Sequence, residues 1–153
     1  MRHRHFLLSV AVCALLTGGT HVFADDGSEL SPIASAEALI SRIQQKDFGA
    51  LQEHYLEDAI LMPPGQENVL DAVAIVQFWR NNLSQNDIVF EGTVLECLDG
   101  EQLALCHVEY RLEVPSGEAD SERLYGNMLI AMQMSPSWRV RWHMFNAIPN
   151  ISD

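Results

Sequence analysis

The sequence predicts an α+β domain, an antiparallel sheet with helices packed on one face. Two observations predict it. Helical periodicity is concentrated in residues 32–83, and long strand-like runs follow from 88 to 146, joined by short polar turns. Helices first and then hairpin-linked strands argue for a meander, because parallel crossovers would need a helix between each pair of strands.

The elements follow in order. Ser31-Pro32 supplies a helix N-cap and a proline at the first helical position, and Ile33, Ala36, Leu39, Ile40 and Ile43 recur at helical spacing. The first helix is expected over Pro32–Gln45. Asp47 caps a second, short helix with Phe48, Leu51 and Tyr55 on its buried face. Ala59–Met62 is a short apolar strand, stopped by Pro63 and Pro64, which cannot donate to a ladder. Asp71 caps a third helix, Ala72–Leu83, apolar over more than half its circumference and so expected to be deeply packed. Ile88–Leu98 and Leu103–Val114 are expected to form a hairpin across Asp99-Gly100, with Arg123–Met134 and Trp138–Asn146 as the last two strands.

The N-terminus reads as a secretory signal. Arg2 and Arg4 precede an apolar run, Phe6–Leu16, of 11 residues, and Val22-Phe23-Ala24 ends in small-x-small style. A membrane span needs roughly 20 residues, so a cleaved signal over 1–24 is expected. Residues 25–30 then form a flexible leader and 31–150 the domain. Loss of Arg2 and Arg4 leaves seven basic against 21 acidic residues and moves the formal charge from −12 to −14. Such a surface repels phosphate backbones and anionic headgroups, so neither a nucleic-acid nor a membrane partner is expected after cleavage. The expected location is periplasmic or secreted. Cys97 and Cys106 remain, an even pair in an oxidising compartment and a candidate disulfide.

Strand alternation sorts the faces. Ala104, Cys106, Val108, Tyr110, Leu112 and Val114 share a side free of charge, the expected core face. An even-length hairpin loop at Asp99–Gln102 would set Cys97 opposite Ala104 and Glu91 opposite Tyr110. A disulfide would then need a bulge or a shift by two, and Glu91 would either sit in a polar pocket or, with another register, face water. In the last strand Trp138, Val140, Trp142, Met144 and Asn146 are read as inward, against Arg139, Arg141, His143 and Phe145 outward. His54, His107 and His143 fall on separate elements, with two of the three read as outward. No metal site and no cofactor is expected, since catalytic zinc needs three converging ligands and no phosphate-cradling or dinucleotide glycine motif is present.

Lys46 to Gly65 reads Lys-Asp-Phe-x-x-Leu-x-x-x-Tyr-x-x-Asp-Ala-Ile-Leu-Met-Pro-Pro-Gly, followed by a helix carrying Phe78-Trp79 and a last strand opening Trp138-x-Val140 and ending at Asn146. This resembles the nuclear transport factor 2-like superfamily, nearest to its SnoaL-like and ketosteroid-isomerase-like domains, over nearly all of the mature chain. The resemblance implies a cone-shaped, curved sheet against three N-terminal helices and an apolar pocket between them. It also implies a homodimer through the outer sheet face, for which Ile88, Phe90, Val94, Leu103, Leu105 and Phe145 are the expected residues. Ketosteroid isomerases use an Asp base with a Tyr and a protonated Asp as oxyanion donors. No residue-by-residue match to that trio is found, and Asp58 reads as a turn residue.

Three functions follow as expectations. The first is an exported module binding a small apolar molecule in a pocket rimmed by Tyr55, Met62, Phe78, Trp79, Tyr110, Trp142 and Asn146. The second is an isomerase, dehydratase or cyclase using Glu91 as general base and Tyr110 as hydrogen-bond donor. The third is a dimeric interaction domain without a ligand.

Overall fold

The computed structural model describes residues 30–84, 87–116 and 121–148. The signal segment at 1–24, most of the leader and the C-terminal tail lie outside the described residues.

Helix α1, Pro32–Gln44, starts at its expected cap, where Ser31 Oγ accepts the Ala34 N–H at 3.3 Å. Its inward stripe is Ala36, Leu39, Ile40 and Ile43. It ends in a left-handed turn at Lys46, φ 56°, with the Lys46 and Asp47 N–H groups donating to Ile43 and Arg42 carbonyls. Those two bonds close the helix end as a Schellman motif. Asp47 then caps α2, Phe48–Leu51, and its carboxylate receives the Arg42 guanidinium at 2.7 Å. A 3-10 turn over Gln52–His54 leads into β1, Tyr55–Met62. This strand begins four residues before expectation, so Tyr55 belongs to the sheet and not to a helix face. Asp58 also lies inside β1, where it meets Arg141 at 3.1 Å, and is not a turn residue.

After the two-residue strand β2, Val69–Leu70, helix α3 spans Ala72–Leu83. Asp71 caps it from φ 71°, accepting the Ala74 N–H at 2.8 Å. Its buried stripe is Ala72, Ile75, Val76, Trp79 and Leu83, while Val73 faces water. The remaining strands are β3, Val89–Asp99, β4, Leu103–Pro115, β5, Ser121–Met134, and β6, Trp138–Phe145.

The sheet order is β2-β1-β6-β5-β4-β3. The expected meander is present as β3–β6. The expectation of an antiparallel sheet fails at one pair, because β1 joins β6 in parallel. The chain can make that pairing because α3 and the meander carry it between the two strands. The core lies between the sheet's inner face and helices α1 and α3.

Two bulges decide which side chains enter that core. In β3 the register slips at Leu95, and in β6 it slips at Arg141, since Met132 pairs Val140 while Ala131 pairs Trp142. A bulge inserts one unpaired residue and reverses the alternation beyond it. Trp138 and Val140 are therefore inward, as expected, but beyond the bulge His143 and Phe145 point in and Trp142 and Met144 point out. Trp142 is 45% exposed, under the Arg141 guanidinium.

The β3–β4 turn is centred one residue later than expected, on Glu101-Gln102, and is closed by the Gly100 N–H donating to the Leu103 carbonyl at 2.9 Å. Cys97 therefore pairs directly with Cys106, with Cα atoms 4.0 Å apart, and the two are joined by a disulfide. The expected pairings of Cys97 with Ala104 and of Glu91 with Tyr110 do not form. Glu91 faces Arg111, and Phe90 takes the inward position at 3% exposure.

Candidate functional site

The interior is incompletely filled beneath α3. A cavity of about 210 Å³ is walled there by Phe78, Trp79, Phe90, Leu112, Met128 and Phe145. Gln66 and Asn82 supply polar atoms at its lining, Tyr110 closes one side, and no charged residue lines it. The rings meet at steep angles, Phe78 to Phe145 at 62° and Tyr110 to Phe145 at 84°.

One side of the cavity depends on a glycine. A Cβ at Gly126 would collide with the Tyr110 ring and, more severely, with the Asn146 carbonyl. That approach lets the Tyr110 hydroxyl donate to the Asn146 carbonyl at 2.6 Å. Asn146 Oδ1 also accepts the Asn127 N–H at 2.8 Å, which ties the end of β6 to β5. Burial pushes the Tyr110 phenol up from its ordinary pKa.

Behind the wall lies a polar chain. Trp79 Nε1 donates to Tyr55 Oη at 3.2 Å, Tyr55 Oη lies 3.0 Å from His143 Nδ1, and His143 Nε2 lies 3.3 Å from Met128 Sδ. Tyr55 is 2% and His143 0% exposed. Burial lowers the His143 pKa to about 3 and raises that of Tyr55, so both stay neutral.

The expected site residues divide accordingly. Phe78, Trp79 and Tyr110 line the cavity, and Tyr55 stands behind Trp79. Met62 is half-buried away from it, Trp142 lies on the outer face, and Asn146 is exposed, accepting from Tyr110 through its backbone carbonyl and from the Asn127 N–H through its side chain. Glu91 and Tyr110 both line an outer groove of about 380 Å³, with Glu109, Arg111, Tyr125 and Asn127. There the Glu91 carboxylate is held by Arg111 at 2.6 Å and is half exposed. His143, read as outward, is buried, and with Phe90, Met128 and Phe145 it is the part of the site that the sequence reading missed. Local alternation of Phe90, Gly92 and Val94 against Glu91 and Thr93 did carry a signal for Phe90. Nothing local marks the Arg141 bulge that turns His143 inward. Among the described residues no group of three or more His, Cys, Asp and Glu side chains is placed to hold a metal.

The outer-face expectation also changes in detail. Phe90 belongs to the core, and Ile88, Val94 and Phe145 pack against it. The exposed apolar residues on that side are Leu98, Leu103, Leu105, Leu129, Trp142 and Met144. They are neighbours across the strands, through the pairs Leu98–Leu105 and Leu129–Met144 and through Ala131, which pairs with both Leu105 and Trp142.

No family model and no curated protein matches the chain. Solved structures do. A ketosteroid isomerase-like protein from Erwinia carotovora atroseptica superposes with TM-score 0.66 at 18% identity, over 80% of this chain and 98% of its own. A nuclear transport factor 2-like protein with a cystatin-like fold from Novosphingobium aromaticivorans gives 0.67 at 11% identity, over 78% and 81%. An LEH-like epoxide hydrolase from M. tuberculosis gives 0.60 at 13% identity, over 76% and 82%. At these identities the likeness is one of fold, and this chain has the nuclear transport factor 2-like fold, the α+β cone that its sequence resembles.

Proposed function

We propose that this protein is an exported module that binds a small, uncharged, largely apolar molecule in the cavity beneath α3. The observation that carries the reading is the lining: rings and aliphatic side chains, two amides, and no ionised group. A site of that make-up takes apolar surface out of water and offers few polar groups to orient it. The apolar outer face around Leu105, Leu129 and Trp142 supports pairing with a second copy. The Cys97–Cys106 bond agrees with a periplasmic or secreted location.

The enzyme reading is the weaker one. As a general base Glu91 would have to face the cavity, and its carboxylate is instead engaged by Arg111 on the other side of the sheet. Structural neighbours include proteins named for isomerase and epoxide hydrolase chemistry, so a catalytic role keeps some support from fold alone.

Native mass spectrometry of mature protein from its own secretory compartment tests the proposal. The expected spectrum is a dimer carrying a small molecule of defined mass. Leu112→Phe, which fills the cavity, should lose that molecule and keep the dimer. Retention of the molecule by the filled variant would end the cavity reading, and a purely monomeric wild-type spectrum would end the pairing.

A further inference from the structure

The cavity wall conceals a hydrogen-bond donor with a poor partner. Indole N–H can only donate, so Trp79 supplies its proton to Tyr55 Oη. Tyr55 then has one O–H left, and His143 Nδ1 is its acceptor. A neutral imidazole that accepts at Nδ1 carries its own proton at Nε2. The opposite tautomer would leave the Tyr55 O–H without this acceptor and turn a bare Nε2 toward sulfur. The Nε2–H therefore ends on Met128 Sδ, and a thioether is a weak acceptor.

Met128 is itself part of the cavity wall, together with Trp79 and Phe145, whose ring centroids stand 5.7 and 6.2 Å from His143. The donor is thus one side chain away from the empty space. That side chain is unbranched, with three rotatable bonds, and can turn aside without moving the backbone. An oxygen atom brought to the same place would be a better partner than sulfur in this water-free setting. An anion is a poor candidate, because no Lys or Arg lines the cavity and the chain carries a formal charge of −12.

We propose that the ligand carries a neutral oxygen acceptor, in the simplest case a carbonyl, which replaces Met128 Sδ as the partner of His143 Nε2–H. His143 is then the residue that selects among apolar molecules of similar shape. This inference rests on the cavity being a ligand site, and the test separates the two.

The probes are 1-indanone and indane, a ketone and its hydrocarbon, titrated into mature protein and followed by NMR. The signals read are His143 Nε2 and the Met128 and Phe145 side chains. Indanone should shift His143 Nε2, and indane should move only the wall signals. In Met128→Leu the internal acceptor is gone at nearly constant volume, so preference for indanone over indane should rise about fivefold relative to wild type. Comparing the two proteins cancels the probes' different hydrophobicities. If both probes perturb Met128 and Phe145 while His143 Nε2 stays still and Met128→Leu changes no preference, the inference is overturned and the cavity reading stands. If neither probe perturbs the wall signals, both fall.

Discussion

The two helices close the sheet in different ways. Beneath α1, Ala36, Leu39 and Ile43 are fully buried, Gly92 lets the Ile40 side chain come close, and Cys97 is bonded to Cys106 on the strands below. Beneath α3 the contacts are made by rings, the space is left partly empty, and a polar chain runs behind it. The difference is one of composition: aliphatic side chains fill the α1 half, and the rings of Phe78, Trp79, Phe90 and Phe145 wall the space under α3. The α1 half is filled, and the α3 half is the side with room beneath its helix.

The largest effect should come from the open half. In Gly126→Ala the new Cβ would collide with the Asn146 carbonyl and the Tyr110 ring. Overpacking against backbone has no flexible side chain to absorb it, and a loss of about 3 kcal/mol in urea unfolding is expected. A loss below about 1 kcal/mol would mean that this wall is soft and that the contrast between the halves is overstated.

Acid should strike the same half next. His143 titrates near 3 when folded and near 6.5 in the unfolded chain. The unfolded state therefore takes up the proton first as pH falls. The stability tied to a neutral His143 is fully present above 6.5, declines through the window from 6.5 down to about 3, and is then exhausted. Between pH 7 and pH 5 this group alone should remove about 2 kcal/mol, measured as the shift in urea midpoint at constant slope. His143→Gln should flatten that part of the profile even if it starts from a lower stability.

The smallest effect belongs to the closed half. Lys46 ends α1 in the left-handed region at φ 56°. Lys46→Gly should raise stability by about 0.5–1 kcal/mol, because glycine adopts that conformation without a Cβ penalty. Thermal unfolding would show it as a rise of a few degrees, and a fall would mean that the Lys46 side chain contributes more than its backbone costs.

The sequence made the local parts of this fold legible. The caps at Ser31, Asp47 and Asp71, the stop at Pro63 and the hairpin at Asp99-Gly100 are signals carried within a few residues. The parallel pairing of β1 with β6 joins residues some 80 positions apart and has no local signature. The site was half legible for the same reason. Phe78, Trp79 and Tyr110 sit on elements of regular period, and their faces could be read directly. His143 and Phe145 lie beyond a bulge, where one extra residue reverses every later assignment. Glu91 was misplaced because the Leu95 bulge reverses the faces of β3 between Cys97 and Glu91, which the plain alternation of Phe90, Gly92 and Val94 with Glu91 and Thr93 already reflects. The alternation was the better guide, because it places Phe90 in the core, where it is 3% exposed.

The Cys97–Cys106 bond bears on how the hairpin reaches its final alignment. Sliding β3 against β4 by two positions leaves every side chain on its own face, so hydrophobic pattern alone does not distinguish a turn at Gly100-Glu101 from one at Glu101-Gln102. Direct opposition of the two sulfurs occurs in only one of those alignments. The Cys97–Cys106 bond then works as a latch, holding the hairpin at that one rung.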